Sequence, residues 1–89
     1  MSLNTPKPDE PLAQIIYRLA ADTGIELKPE RLQPTLHDVR TEIGSAGRVQ
    51  SATLELHLDV TSRDRMKEDA RRLREIADLI EAAADKPRP

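Results

Sequence analysis

Apolar and polar residues alternate along residues 51–60 and then change to a helical spacing. The alternation places an apolar residue at every second position, at Leu54, Leu56, Leu58 and Val60. This is the period of a half-buried strand. After Thr61 the apolar residues recur every three or four positions, as on one face of an amphipathic helix. The pattern therefore predicts a strand that leads directly into a long helix, which begins near Thr61 or Ser62 and ends near Asp85.

The predicted C-terminal helix carries a line of apolar residues with the heptad spacing of a coiled coil. The residues step by four and three positions alternately, and they are Met66, Ala70, Leu73, Ala77, Ile80 and Ala84. This line, hereafter the seam, is a candidate interface for a second copy of the chain or for a partner helix. Because it covers fewer than three heptads, the simpler alternative is that this face packs on the sheet and the first helix of its own chain.

A second amphipathic pattern predicts a helix near the N-terminus. Its core-facing residues follow the i, i+3, i+4, i+7, i+8 rule, at Leu12, Ile15, Ile16, Leu19 and Ala20. Asp9 is a suitable N-cap, and Pro11 fits the first turn, where a missing N–H costs little. Gly24 is expected to end the helix in the left-handed conformation.

Residues 35–43 are compatible with either a helix or a strand. A helix would align four apolar residues on one face, at Leu32, Leu36, Val39 and Ile43. A strand would point Val39, Thr41 and Ile43 inward. We favour the strand, because residues 44–47 suit a hairpin loop and because the strand predicted above would otherwise have two unpaired edges.

The hairpin register follows from pairing the residues on either side of this loop. It predicts that Val39 lies opposite Ala52 and that His37 lies opposite Leu54, which keeps the apolar face of the second strand consistent. In this register the His37 side chain points inward and the His57 side chain points outward.

Together the patterns predict a small α+β domain with the order helix, β-hairpin, long amphipathic helix (α-β-β-α), in which residues 25–34 form an irregular connection. We expect the domain to span residues 9–85, between flexible tails at 1–8 and 86–89. The core must be aliphatic, because the chain has one tyrosine and no phenylalanine or tryptophan. A two-stranded sheet with such a core is marginally stable alone. We therefore expect a homodimer that shares its core, joined either by edge-strand pairing or through the seam.

Composition limits the classes of function. The formal net charge of −2 argues against a general binder of polyanions, since such domains are usually strongly basic. The absence of cysteine excludes disulfides and thiolate metal sites. No apolar run approaches the length of a membrane span, so we expect a soluble, cytoplasmic protein with no membrane partner.

Four basic residues share one side of the C-terminal helix, about 100° around the helix axis from the seam. This basic stripe consists of Arg63, Lys67, Arg71 and Arg74. It could follow a phosphate backbone, but acidic residues are interspersed and no aromatic residue is nearby to stack on bases. A solvated face with ion pairs such as Glu68–Arg72 is the simpler interpretation. Asp69 is expected to lie between Arg65 and Arg72, or alternatively to form a salt bridge to another subunit.

Few residues offer catalytic or metal-binding chemistry. His37 and His57 are the only histidines, and the predicted register places them on opposite faces of the sheet, so we expect no metal site. Nothing places a hydroxyl residue and a histidine together in a pocket, so we expect no enzymatic activity and no cofactor. The sequence favours a protein–protein interaction module, namely an adaptor, a small regulatory subunit or an inhibitor. The alternative is a dimeric nucleic-acid-binding regulator whose basic stripe contacts phosphates.

Overall fold

In the computed structural model, which describes residues 11–86, the chain forms a helix, a two-stranded antiparallel hairpin and a long C-terminal helix, with one additional short helix. The elements are α1 (Leu12–Thr23), α2 (Pro29–Leu32), β1 (Leu36–Ile43), β2 (Val49–Leu56) and α3 (Arg63–Asp85). This confirms the predicted helix–hairpin–helix architecture. The predicted tail at 1–8, the predicted N-cap Asp9 and the last residues of the second tail, 87–89, lie outside the described residues.

The end of α1 confirms the prediction, whereas its beginning differs. Gly24 has a φ of 84°, and its N–H donates to the Ala20 carbonyl at 2.8 Å. Glycine adopts this left-handed conformation without a steric cost. At the other end, Pro11 occupies the cap position and offers no side-chain cap, so Pro11 precedes the first turn instead of lying within it.

The segment 36–43 is a strand, so the helical alternative for this part of the chain is wrong. In the turn that joins β1 to β2, the Gly47 N–H donates to the Gly44 carbonyl at 2.9 Å, and the Gly44 N–H donates to the Arg48 carbonyl at 2.8 Å. Gly47 has a φ of 80°, so it supplies the left-handed residue that a three-residue hairpin loop requires.

The hairpin register differs from the predicted one by two residues. Val39 lies opposite Leu54 and not opposite Ala52. Part of the shift arises at the turn, where Ile43 pairs with Val49, and the rest arises at an irregularity next to Ile43. Because side chains alternate with a period of two, this shift keeps Val39 on the inner face as predicted. Ile43, which is also predicted to point inward, lies beyond the irregularity and is 45% exposed.

The prediction that His37 points inward is wrong. The pairing is irregular between Leu36 and Asp38, and His37 lies within this irregularity with an exposed side chain. A bulge of this kind turns a side chain away from the face that strict alternation would give it. The extra residue allows both Leu36 and Val39 to be buried although they are three positions apart.

The second strand is shorter than the alternation of its sequence predicts. β2 ends at Leu56, so Leu58 and Val60 lie outside the sheet. Beyond the strand, the Asp59 N–H donates to the Asp69 carboxylate at 2.7 Å instead of to another strand. This bond directs the chain toward α3 and ends the pairing.

The connection predicted to be irregular contains α2. Pro29 occupies its first position, where the fixed φ of proline suits a helix start. Leu32 at its other end is fully buried, so this single turn contributes to the core. The Arg31 guanidinium also lies 3.2 Å from the Glu75 carboxylate of α3.

α3 begins and ends close to the predicted residues, and Ser62 is its N-cap. The Ser62 hydroxyl accepts a hydrogen bond from the Arg65 N–H at 3.2 Å, which is the usual contact of an N-cap serine. Thr61 does not cap the helix, because its N–H and its hydroxyl both donate to the Asp59 carboxylate. α3 ends at Asp85, as predicted.

The core is aliphatic, as the composition requires. Its fully packed members are Ile16, Leu19, Leu27, Leu32, Leu36, Val39 and Ile76. They come from α1, from the connection, from β1 and from one position of α3, and none comes from β2. Leu54 of β2 and Leu73 and Leu79 of α3 pack on the edge of this core while partly exposed.

A candidate protein-binding surface

The fully buried face of α3 is not centred on the seam. The buried residues of α3 are Asp69, Ile76 and Ala83, each seven positions after the last, and they form the buried stripe. At 100° per residue, the seam is centred about 80° around the helix axis from the buried stripe. The chain therefore uses a neighbouring face for its own packing and leaves the seam to one side.

Most of the seam is exposed. Ala70 and Leu73 are half-buried, and the other four residues are exposed. The two largest of these, Met66 and Ile80, retain 49% and 44% of their surface in contact with solvent. Contiguous exposed apolar surface on a small protein is a common mark of an interaction site.

A cleft of about 480 Å³ lies between β2 and α3. Residues 49–52 and Leu54 of β2 line one side of it, and Ile80 of the seam lines the other. Four residues from the end of α1 and the connection after it complete the lining, namely Leu19, Thr23, Ile25 and Leu27. Ile80 thus belongs both to the seam and to the cleft, so the two form one continuous surface, hereafter the open side.

The strand that borders the cleft is poorly covered. No residue of β2 is fully buried, and Leu56 is 40% exposed. Within the described residues the sheet has only two strands, so one edge of β2 has no neighbouring strand. A strand with a free edge and an uncovered apolar residue can accept a partner.

A buried polar cluster holds the first half of α3 against the hairpin. The Thr35 hydroxyl, which is fully buried, donates to the Asp69 carboxylate, and Asp69 itself is only 5% exposed. Asp69 also accepts the Asp59 N–H. The hydrogen bond from Thr35, followed by that from Asp59, holds the pKa of Asp69 below its ordinary value, while burial opposes this shift. The charged carboxylate therefore ties α3 to the segment before β1 and to the segment after β2, which lie together at the end of the hairpin opposite its turn.

Arginine residues surround this cluster in a different arrangement from the predicted one. Arg72 lies 3.6 Å from Asp69 and donates to the Thr35 hydroxyl at 3.2 Å. Arg65 does not flank Asp69, because its guanidinium lies 3.2 Å from the Asp59 carboxylate. Asp69 is thus a buried anchor and not an exposed residue between two arginines. The pattern that could have revealed this is its heptad spacing to Ile76 and Ala83.

The basic stripe lies on the side of α3 opposite the buried stripe, and all four of its residues are exposed. Arg71 donates to Glu68 at 2.8 Å, and this contact raises the pKa of Arg71 and lowers that of Glu68. The predicted Glu68–Arg72 pair also forms, with a distance of 3.5 Å. Within residues 11–86, Arg63, Lys67 and Arg74 make no ion pair.

The charge on the same side of α3 changes from positive to negative along the helix. At 100° per residue, three acidic residues continue the line of the basic stripe toward the C-terminus. This acidic stripe consists of Asp78, Glu81 and Asp85, all of them exposed. The outward face of α3 is therefore positive in its first half and negative in its second half.

The remaining candidate chemistry is dispersed. His57 lines a pocket that also contains Asp59 and Asp69, whereas His37 is exposed on the hairpin. Over residues 11–86, no three histidine or acidic side chains are grouped so that they could hold a metal ion. In the same part of the chain, no helix combines the length and the apolar character that a bilayer crossing needs.

Comparison with known proteins finds no protein-family model, no curated protein and no solved structure that matches this chain.

Proposed function

We propose that the chain is a non-enzymatic protein–protein interaction module, as an adaptor, small regulatory subunit or inhibitor would be, and that the open side is its binding surface. The observation that supports this proposal is the rotation of α3. A helix that only completed a core would turn its largest apolar residues inward. Instead, the buried stripe includes Asp69 while Met66 and Ile80 of the seam are about half exposed.

The anchoring of α3 also suits a binding surface. Asp69 is held by Thr35 and Asp59, so the rotation of the helix about its axis is fixed before any partner arrives. A preorganised surface loses less conformational entropy when it binds. The seam is therefore presented in one orientation, with the cleft beside it.

Site-specific photocross-linking tests this proposal. A photoreactive residue replaces Ala77 at the centre of the seam, and a matched variant carries it at Tyr17, which is 77% exposed on α1. In extract of the source cells, we expect defined protein adducts from position 77 that disappear when Ile80→Glu is added. Adducts of equal yield from position 17, or none that depend on Ile80, would contradict the proposal.

A nucleic-acid-binding regulator is the alternative proposal. It is supported by Arg63, Lys67 and Arg74, which are exposed and make no ion pair within residues 11–86. The acidic stripe on the same face weighs against it. Fluorescence anisotropy with labelled duplex DNA distinguishes the two proposals. A protein that binds phosphates must lose affinity for the DNA steeply as the salt concentration rises, and it must also lose affinity in the variant Lys67→Ala/Arg74→Ala. Absence of binding at low salt would remove this alternative.

A further inference from the structure

We infer that the partner of the seam is a second copy of the chain, whose α3 packs antiparallel on the first with the two-fold axis between Leu73 and Ala77. This inference rests on the proposed function, because it names the partner of the same surface. Two independent features of α3 support it, the sizes of the seam residues and the signs of the charges beside them.

Antiparallel pairing places every large residue of the seam against an alanine. With the axis between Leu73 and Ala77, residues whose numbers sum to 150 meet across it. The facing pairs are Met66 with Ala84, Ala70 with Ile80, and Leu73 with Ala77. Alternation of large and small residues across a helix interface lets the two layers interdigitate. A parallel pair in register would instead set Met66, Leu73 and Ile80 each against itself.

One pair of charges beside the seam agrees with the same arrangement. Residues that meet across an antiparallel pair come from opposite halves of the helix, so Lys67 near the start of α3 in one copy lies nearest to Glu81 near the end of α3 in the other. In the described chain, Lys67 and Glu81 make no ion pair, so the second copy supplies a partner that the first lacks.

The exposed apolar surface matches the length of such a contact. From Met66 to Ala84 the helix rises about 27 Å, at about 1.5 Å per residue. The contact covers Met66 and Ile80, which are the most exposed large apolar residues of α3. It also closes the side of the cleft that Ile80 lines, so one interface accounts for both parts of the open side.

Cysteine cross-linking tests whether the two helices are antiparallel. Because the chain has no native cysteine, only the introduced residues can form disulfides. Ala70→Cys and Ile80→Cys are prepared separately and then mixed under mild oxidation. We expect a cross-linked dimer in the mixture and little in either variant alone. Self-cross-linking of each variant would show a parallel pair and overturn the inference. Absence of any cross-link in folded protein would overturn it as well.

Charge reversal provides a second test that leaves the apolar seam intact. We expect Lys67→Glu alone or Glu81→Lys alone to weaken dimerisation about tenfold, because each places like charges together twice by symmetry. The double variant Lys67→Glu/Glu81→Lys should recover the original dissociation constant. Glu30→Lys on α2 is the control and should not change it. Failure of the double variant to recover would overturn the inference.

The two proposals fail in distinguishable ways. If the photocross-linked adducts from position 77 depend on Ile80 but contain another protein, the second copy is the wrong partner while the binding surface stands. If no adduct depends on Ile80 and no cysteine cross-link forms, the interaction function itself is wrong. Circular dichroism of each variant checks that the helices remain folded.

Discussion

The two strands of the hairpin are equally long and directly paired, yet their burial is opposite. β1 contributes Leu36 and Val39 to the core, and both are almost completely buried. β2 has no fully buried residue. The clearest case is one cross-strand pair, in which Leu36 is 2% exposed and its partner Leu56 is 40% exposed. Since the pattern of β2 is as apolar as that of β1, its exposure reflects missing cover and not a polar sequence.

The contrast extends to α3. Its buried stripe faces the connection and contains Asp69, which binds Thr35. We call this side of the molecule the closed side. The seam of α3 faces the open side. A chain of 89 residues has too little apolar material to cover both sides of such a layout. The closed side is therefore packed within one chain, whereas the open side is left uncovered.

The largest predicted effect is at the paired leucines. Leu36→Ala should lower the free energy of unfolding by about 2–5 kcal/mol, because it leaves a cavity in a packed site. Leu56→Ala should lower it by about 1 kcal/mol, since much of its side chain is already in water. Urea unfolding of dilute protein measures both. Equal losses would show that β2 is as well packed as β1.

Thr35→Val tests the polar anchor of the closed side. The substitution keeps the shape of the side chain and removes the hydroxyl that donates to Asp69. We expect a loss of about 1–3 kcal/mol in the free energy of unfolding, as for a buried hydrogen bond that loses one partner. Thr35→Ser keeps the hydroxyl and serves as the control. If valine is tolerated as well as serine, the cluster does not anchor α3.

The same cluster predicts how stability depends on pH. The pKa of Asp69 is lower in the folded chain than its ordinary value of 3.8, so its charged form stabilises the fold. This contribution is present above the unfolded pKa and is lost as the pH falls through the folded pKa. Thermal unfolding from pH 5 downward should show Tm falling in the wild type and falling less steeply in Asp69→Asn. Parallel curves would mean that other carboxylates dominate the acid response.

The smallest effect on folding is expected on the open side. Ile80→Glu should change the free energy of unfolding of the dilute, monomeric chain by about 0.5 kcal/mol or less, because the side chain is already half exposed. Tyr17→Glu, on an exposed face of α1, should behave alike. A large loss from Ile80→Glu would instead assign Ile80 to the core.

These regions also differ in how well the sequence predicts them. Periodicity alone predicts α1, β2 and α3, because each has a clear apolar face, and Gly24 gives α1 a clear stop. For β1 the periodicity is ambiguous, and the glycine-containing turn that ends at Gly47 is needed to favour a strand over a helix.

Periodicity does not predict the bulge at His37 or the early end of β2 at Leu56. The bulge is seen only in the pairing with β2. The end of β2 follows from the hydrogen bond of the Asp59 N–H to Asp69, which is itself held by Thr35, 34 positions away in sequence.

The apolar pattern does not predict which face of α3 is buried, for a related reason. The seam has the stronger apolar pattern, and a hydrophobicity argument would place it against the core. The buried stripe is selected instead by Asp69, which finds the Thr35 hydroxyl and the Asp59 amide as partners. A buried carboxylate becomes favourable only when such donors are in place, and single-residue patterns do not reveal them. The candidate surface was therefore identifiable from spacing, but its exposure was not.

The solution mass of the chain, measured by light scattering over a dilution series, is the most direct test of the proposed antiparallel dimer. The dimer predicts a species of twice the chain mass of 10.0 kDa that dissociates on dilution. It also predicts that Ile80→Glu stays monomeric at concentrations where Tyr17→Glu still dimerises. A mass of 10.0 kDa at every concentration, or a dimer that Ile80→Glu leaves unchanged, would contradict it.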